Sequence, residues 1–212
     1  MRFLCAALSA AFLVNSVIGV AQAGSGAEAE TEYSDVFSEL KDGGYVLVVR
    51  HANSPGGQIA PVGLTQGCVL GQGRGLDAEG LFQARYTGEW LKAGGVPLLK
   101  AYTSDMCRSW DTARLMAGSA TVTAHPAQKT TDAEIIAAFK KEIEAELAAN
   151  PGQNIMLVSH SNVAPLYGAT AQDGEEEIPS GGVFVVRPPQ WDELVLRVDL
   201  TVNADPQTVT VD

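Results

Sequence analysis

Two runs, YVLVV at 45–49 and IMLVS at 155–159, constrain the chain more than any other feature. Each is five residues long, almost wholly apolar, and contains β-branched side chains. Such a run is too short for a buried helix and lacks the polar alternation of a half-exposed strand. It reads as a strand buried on both faces, the habit of parallel sheets. PLLKAYTS at 97–104, VFVVRP at 183–188 and ELVLRVDL at 193–200 read as further strands.

Helical patterns lie between these runs. In 33–44, Val36, Phe37 and Leu40 lead to a Gly43–Gly44 stop. In 76–95, Leu81, Phe82, Arg85, Tyr86 and Trp90 follow helical spacing behind Asp77, a suitable cap, and Gly94–Gly95 ends the pattern. A third helix is expected within 104–119, capped by Ser104 or Asp105, and the most regular one over 133–149. Strands alternating with helices predict an α/β fold: three layers, with a mostly parallel sheet flanked by helices. No internal repeat or linker divides residues 33–212, which read as one domain.

Residues 1–23 have the pattern of a secretory leader. Arg2 precedes an apolar stretch, 3–20, and AQA at 21–23 is a small-x-small cleavage signature. An uncleaved N-terminal anchor is the alternative. Residues 24–32 read as a flexible acidic spacer. The expected location is periplasmic or extracellular. No later run approaches the roughly 18 apolar residues of a membrane span. The formal net charge is −11, and loss of Arg2 with a leader that contains no acid makes it −12. Such a chain is a poor partner for nucleic acid or an anionic membrane surface. If its ligand is an anion, positive charge must be concentrated in one pocket.

Leader removal leaves Cys68 and Cys107 of the three cysteines. An even pair in an exported protein suggests a disulfide, with two free buried thiols as the alternative. Residues 54–75 form a long glycine-rich loop of the kind that is usually functional.

In open α/β sheets the ligand site lies beyond the carboxyl ends of the strands. Arg50 and His51 follow the first strand, His160 follows IMLVS, and Arg108 lies in the first turns of the helix after another strand. The topology therefore brings two arginines and two histidines to one sheet edge. Arginine is the planar, permanently charged partner of phosphate. A neutral imidazole can attack phosphorus to form a phosphohistidine. This chemistry needs neither metal nor cofactor, and adjacent arginines repel a cation.

LVVRHAN at 47–53 resembles the Arg-His-Gly phosphate loop of the histidine phosphatase superfamily, with Ala52 where glycine is usual. LDAEGLFQARYTGEWL, YTSDMCRSWDTARLM and IMLVSHSNV are similar to three further motifs of that family, in its order. The resemblance implies a phosphoglycerate mutase-like fold and a small exported subgroup with RHA and a paired cysteine arrangement. It implies that His51 accepts the phosphoryl group, that Arg50, Arg108 and His160 hold its oxygens, and that Asn53 lies near them. It also implies a glutamate acid between Arg108 and His160. Glu134 is at a suitable distance, with Asp132 as rival and Glu175, Glu176 and Glu177 as further candidates. The run DGEEE at 173–177 reads as a solvated loop, a lid or a weak calcium contact. Arg85 reads as a surface ion-pair residue and His125 as an ordinary loop histidine. The expected activity is phosphomonoester hydrolysis on a small phosphorylated substrate. The alternatives are a non-catalytic phosphate-binding module and an envelope phosphatase acting on phosphorylated glycans.

Overall fold

The computed structural model describes residues 37–54 and 74–199, with a further strand at 210–211. The expected leader and spacer, Cys68 and most of the glycine-rich loop lie outside the described residues. In chain order the elements are the helical residues 37–42 (α1), β1 (Val46–Arg50), α2 (Ala78–Ala93), β2 (Leu98–Thr103), α3 (Cys107–Met116), β3 (Thr121–Ala124), α4 (Ala133–Ala149), β4 (Asn154–Ser159), β5 (Val183–Arg187), β6 (Gln190–Asp199) and β7 (Thr210–Val211).

One sheet has the order β3-β2-β4-β1-β5-β6-β7. Its parallel part is β3-β2-β4-β1, with β1 in register against β4 from Val46 opposite Ile155 to Arg50 opposite Ser159. From β1 outward the pairing is antiparallel. The expected three-layer α/β arrangement is present, and its sheet is mixed. The reversal has a local cause: two residues separate β5 from β6, enough for a hairpin and far too few for a parallel crossover.

The period of two along each strand sorts side chains to opposite faces. Leu47, Val49, Ala101, Met156, Val158, Val183 and Val185 pack with Ala84 and Leu91 of α2 and Ala113 and Met116 of α3. Val46, Val48, Ile155, Leu157, Phe184 and Val186 face the other way, onto Ile136, Phe139, Ile143 and Leu147 of α4. Those four α4 residues are spaced for one helix face, and each fully buried side chain of this kind is worth roughly 1.5–3 kcal/mol.

Helix ends follow side-chain chemistry. Asp77 caps α2 by accepting from Gly80 N at 2.8 Å, and Asp132 caps α4 by accepting from Glu134 N and Ile135 N. α3 departs from expectation. Its cap position is Met106, with no side-chain bond. Ser104 lies further back, where its hydroxyl accepts from Met106 N at 3.3 Å, and the Asp105 carboxylate is taken by Lys129 Nζ at 2.6 and 2.8 Å. β3 is an addition to the sequence reading. It is a short edge strand, largely exposed, so it carries no apolar run that would announce it.

Gly80 determines how closely α2 approaches the end of β1. A Cβ there would lie 2.0 Å from the Asn53 carbonyl oxygen. Only glycine lets the first turn of α2 rest on residues 52–54, which carry the chain out of the site.

Candidate active site

The β1–β4 ladder continues past β1, because His51 N donates to Ser159 O at 2.9 Å. This bond places the His51 side chain beside His160, with ring centroids 5.4 Å apart. Both residues are buried, at 5 % and 9 % exposure. The loop after His51 is held from α3: Thr112 Oγ1 accepts from Ala52 N at 3.0 Å and donates to Arg108 O at 2.7 Å. That pair of bonds couples the histidine loop to the turn that carries Arg108.

Hydrogen-bond chemistry assigns the tautomers. His51 Nδ1 lies 2.9 Å from Ala52 O, and a carbonyl can only accept, so Nδ1 carries the proton. His51 Nε2 is then unprotonated, and its lone pair accepts from Arg108 Nε at 3.0 Å. His160 is the reverse case. Its Nδ1 faces Arg108 Nη2 at 3.2 Å and must accept, which leaves the proton on Nε2, 3.0 Å from Ser104 Oγ. Arg108 therefore bridges the two imidazoles, and His160 and Ser104 align it.

Electrostatics keep both rings neutral. The His51 pKa is lowered to about 3, first by burial and then by Arg108, His160 and Arg50, against the opposing Ala52 hydrogen bond. That of His160 is lowered to about 4, again first by burial, then by Arg108 and Arg74, with Asp105 opposing. Burial, and then Arg74, also lower Arg108. The positive charge missing from this acidic chain overall is gathered here.

These shifts predict a pH dependence of stability. Each folded pKa lies below the unfolded reference of about 6.5, so the unfolded chain binds more protons between those values. The stabilisation from burying the two rings neutral is fully present above about pH 6.5. It declines as pH falls toward the folded values of about 4 and about 3. Urea unfolding at pH 7 and pH 4.5 should show this decline, and His160→Asn should flatten it.

The remaining candidates occupy different positions. Arg50 donates from Nη1 to Ile178 O at 2.5 Å and pairs through Nη2 with Glu177 Oε1 at 2.6 Å. Asn53 faces α2: its Nδ2 donates to Asp77 Oδ2 at 2.8 Å and to Glu79 Oε2 at 3.2 Å, and its N donates to Gln83 Oε1. In this state the Asn53 amide is engaged with the helix start. Glu134 is exposed in the first turn of α4, and no described contact joins it to Arg50, His51, Arg108 or His160. Asp132 is committed to its cap. Glu175 is held by Arg197, and Glu176 is exposed. Of the acids considered, Glu177 is the one in contact with the cluster.

Arg74 joins the cluster without any motif to mark it, whereas Ser104 and Thr112, which also touch it, lie within the motif that carries Arg108. Arg74 Nε donates to Ser54 Oγ at 2.9 Å, and its charge acts on both Arg108 and His160. A lone basic residue at the end of a glycine-rich loop was its only sequence signal. Arg85 is exposed, as expected for a surface position. His125 is more than a loop residue: it stacks on Phe139, with centroids 4.0 Å apart, and accepts from Ala127 N at 3.2 Å. Cys107, at the start of α3, is 5 % exposed, and the described residues contain no cysteine pair. Among the described residues no group of three His, Cys, Asp or Glu side chains could hold a metal, and no helix is long and apolar enough to cross a membrane.

A buried pair of imidazoles bridged by a guanidinium lies at the carboxyl edge of the sheet, an arrangement with the chemistry to hold an anion beside an imidazole. Residues 46–132, less than half of the chain, match the family described as histidine phosphatase superfamily (branch 1). That matching segment carries Arg50, His51 and Arg108, and His160 lies beyond it. No curated protein matches the chain. Among solved structures the chain is similar to a putative phosphohistidine phosphatase SixA from Nakamurella multipartitia, with 19 % identity, 72 % of this chain and 94 % of that one covered, and a TM-score of 0.49. It is similar to the protein histidine phosphatase SixA complexed with tungstate, with 14 % identity, 79 % and 94 % covered, and a TM-score of 0.48. It is also similar to a phosphoglycerate mutase from Thermus thermophilus, with 21 % identity, 74 % and 99 % covered, and a TM-score of 0.43.

Proposed function

We propose that the chain is an exported phosphomonoester hydrolase that works through a phosphohistidine on His51. The observation that carries this reading is the His51 Nε2 lone pair, kept neutral by burial and aimed at the guanidinium of Arg108. In the first step Nε2 bonds to phosphorus, the ester P–O bond breaks, and an acid protonates the leaving oxygen. In the second, water attacks phosphorus while the deprotonated acid takes its proton, the P–N bond breaks with its electron pair returning to Nε2, and phosphate leaves. Arg50 and Arg108 supply the charge that the phosphoryl oxygens require. Glu134 is the proposed acid, with Asp132, Glu175, Glu176 and Glu177 as the other candidates. The small phosphorylated substrate is proposed on the same grounds. Export rests on the leader pattern of residues 1–23.

A phosphate-binding module without turnover is the second reading. It is favoured by the lack of any described contact between Glu134 and the cluster. Hydrolysis of an aryl phosphate by the mature chain decides between the two, because an aryl leaving group needs little protonation. Release of inorganic phosphate no faster than background would reject the enzyme reading.

Cys68 is the proposed partner of Cys107, since Cys5 leaves with the leader. The bridge would tie the glycine-rich loop to the turn before Arg108. Reduction should lower unfolding stability by about 3–4 kcal/mol for a loop of this length. Mass spectrometry of non-reduced peptides reads the pairing directly, and two alkylatable thiols in the exported protein would refute it.

A further inference from the structure

The acidic stretch 173–177 is fixed to the fold on both sides of Glu177. Before it, Glu175 takes two bonds from Arg197, at 2.6 and 2.9 Å, and Arg197 is 3 % exposed. After it, Ile178 is buried and its carbonyl accepts from Arg50 Nη1. Gly181 N donates to the backbone oxygens of both Arg50 and His51, at 3.1 and 3.2 Å. Between these anchors the Glu177 side chain is 54 % exposed, yet its carboxylate reaches Arg50 Nη2 at 2.6 Å. The Arg50 side chain itself is 15 % exposed.

We propose that Glu177 occupies the anion seat of Arg50 in the ligand-free protein and exchanges with the incoming phosphoryl group. This rests on the reading of Arg50 as a phosphoryl-holding residue. A carboxylate oxygen and a phosphoryl oxygen seek the same N–H groups. The phosphoryl group has more charge and more oxygens, and on the same reading Arg108 holds it as well, so it wins the exchange. The carboxylate is held by a single half-exposed contact, which is weak. It can leave by side-chain rotation while the anchors at Glu175, Ile178 and Gly181 stay in place. When product phosphate remains, the returning carboxylate competes for Arg50 and favours release.

The competition lowers apparent phosphate affinity by the fraction of molecules with Arg50 occupied. Calorimetric titration of the mature chain with inorganic phosphate tests it. Glu177→Gln and Glu177→Ala should each bind phosphate about three- to tenfold more tightly than the parent, a range consistent with displacing a weak exposed pair. In Glu177→Ala, added acetate should restore competition and weaken phosphate binding more than it does in the parent. Unchanged or weaker phosphate binding in both variants would overturn the proposal and make Glu177 a residue that merely aligns Arg50. Arg108→Gln separates the two levels of the argument. If phosphate binding ignores that change, the phosphoryl reading of the site fails and the exchange fails with it. If binding depends on Arg108 while the Glu177 variants do not tighten it, the exchange alone is wrong.

Discussion

His51→Ala is expected to remove turnover of an aryl phosphate and, with it, every trace of a phosphoenzyme. Rapid acid and base quenching of the parent with labelled substrate should trap a covalent species that is labile to acid and stable to base, the signature of phosphohistidine. The expectation follows from geometry and charge together. Nδ1 is locked by the Ala52 carbonyl, so Nε2 is the unprotonated ring nitrogen, whose lone pair accepts from Arg108 in the ligand-free protein. Burial first, then the neighbouring cations, lower the His51 pKa to about 3, so protonation of the ring should not limit turnover near neutral pH. Few substitutions delete a covalent nucleophile so cleanly, because alanine removes the ring while Ser159 O still receives the backbone N–H of residue 51. A variant with parental turnover would show that another group accepts the phosphoryl.

Arg108→Gln should reduce kcat by a factor on the order of 10²–10³, or about 3–4 kcal/mol of transition-state stabilisation, by comparison with other preorganised charge-stabilising donors. The loss has two sources. The guanidinium faces Nε2 of His51 at 3.0 Å, where transferring charge develops, and it also engages His160 Nδ1 at 3.2 Å. Lysine should rescue little, because a point charge cannot address both rings through a planar fork. Steady-state kinetics on the aryl substrate provide the measurement, with retained Thr112-to-Ala52 packing checked by unfolding stability. A loss confined to KM, with kcat intact, would mean that Arg108 binds the ground state and does not assist the transfer.

Much of this architecture is legible in the sequence. The fully apolar runs around Val48 and Leu157 had to be central strands, since no helix that short buries itself. Asp77 marked the start of α2 by its side-chain chemistry alone. Other features left no such trace. β3 is short and exposed, so its threonines and valine show no burial pattern. α3 starts later than its two capping candidates suggest, because Ser104 and Asp105, both good caps in isolation, have other partners in His160 and Lys129. Glu134 and Glu177 looked alike in sequence, as acidic residues at plausible spacing. Only folding carries the 175–181 segment back onto Arg50, through a contact between residues 128 positions apart along the chain.

The sequence by itself determined which residue types meet: short buried strands ending in Arg50–His51 and in His160, with Arg108 one helical turn beyond another strand. Side-chain period and connection length are local properties, and they suffice to send strand ends to one edge. Tertiary structure alone decided the state of those residues. It chose which imidazole nitrogen carries the proton, set both rings neutral by burying them beside cations, added Arg74 to the charge, and put the Glu177 carboxylate on Arg50. The physical reason is that desolvation and hydrogen-bond partnership depend on every group packed within a few ångströms, and most of those neighbours are remote in the chain.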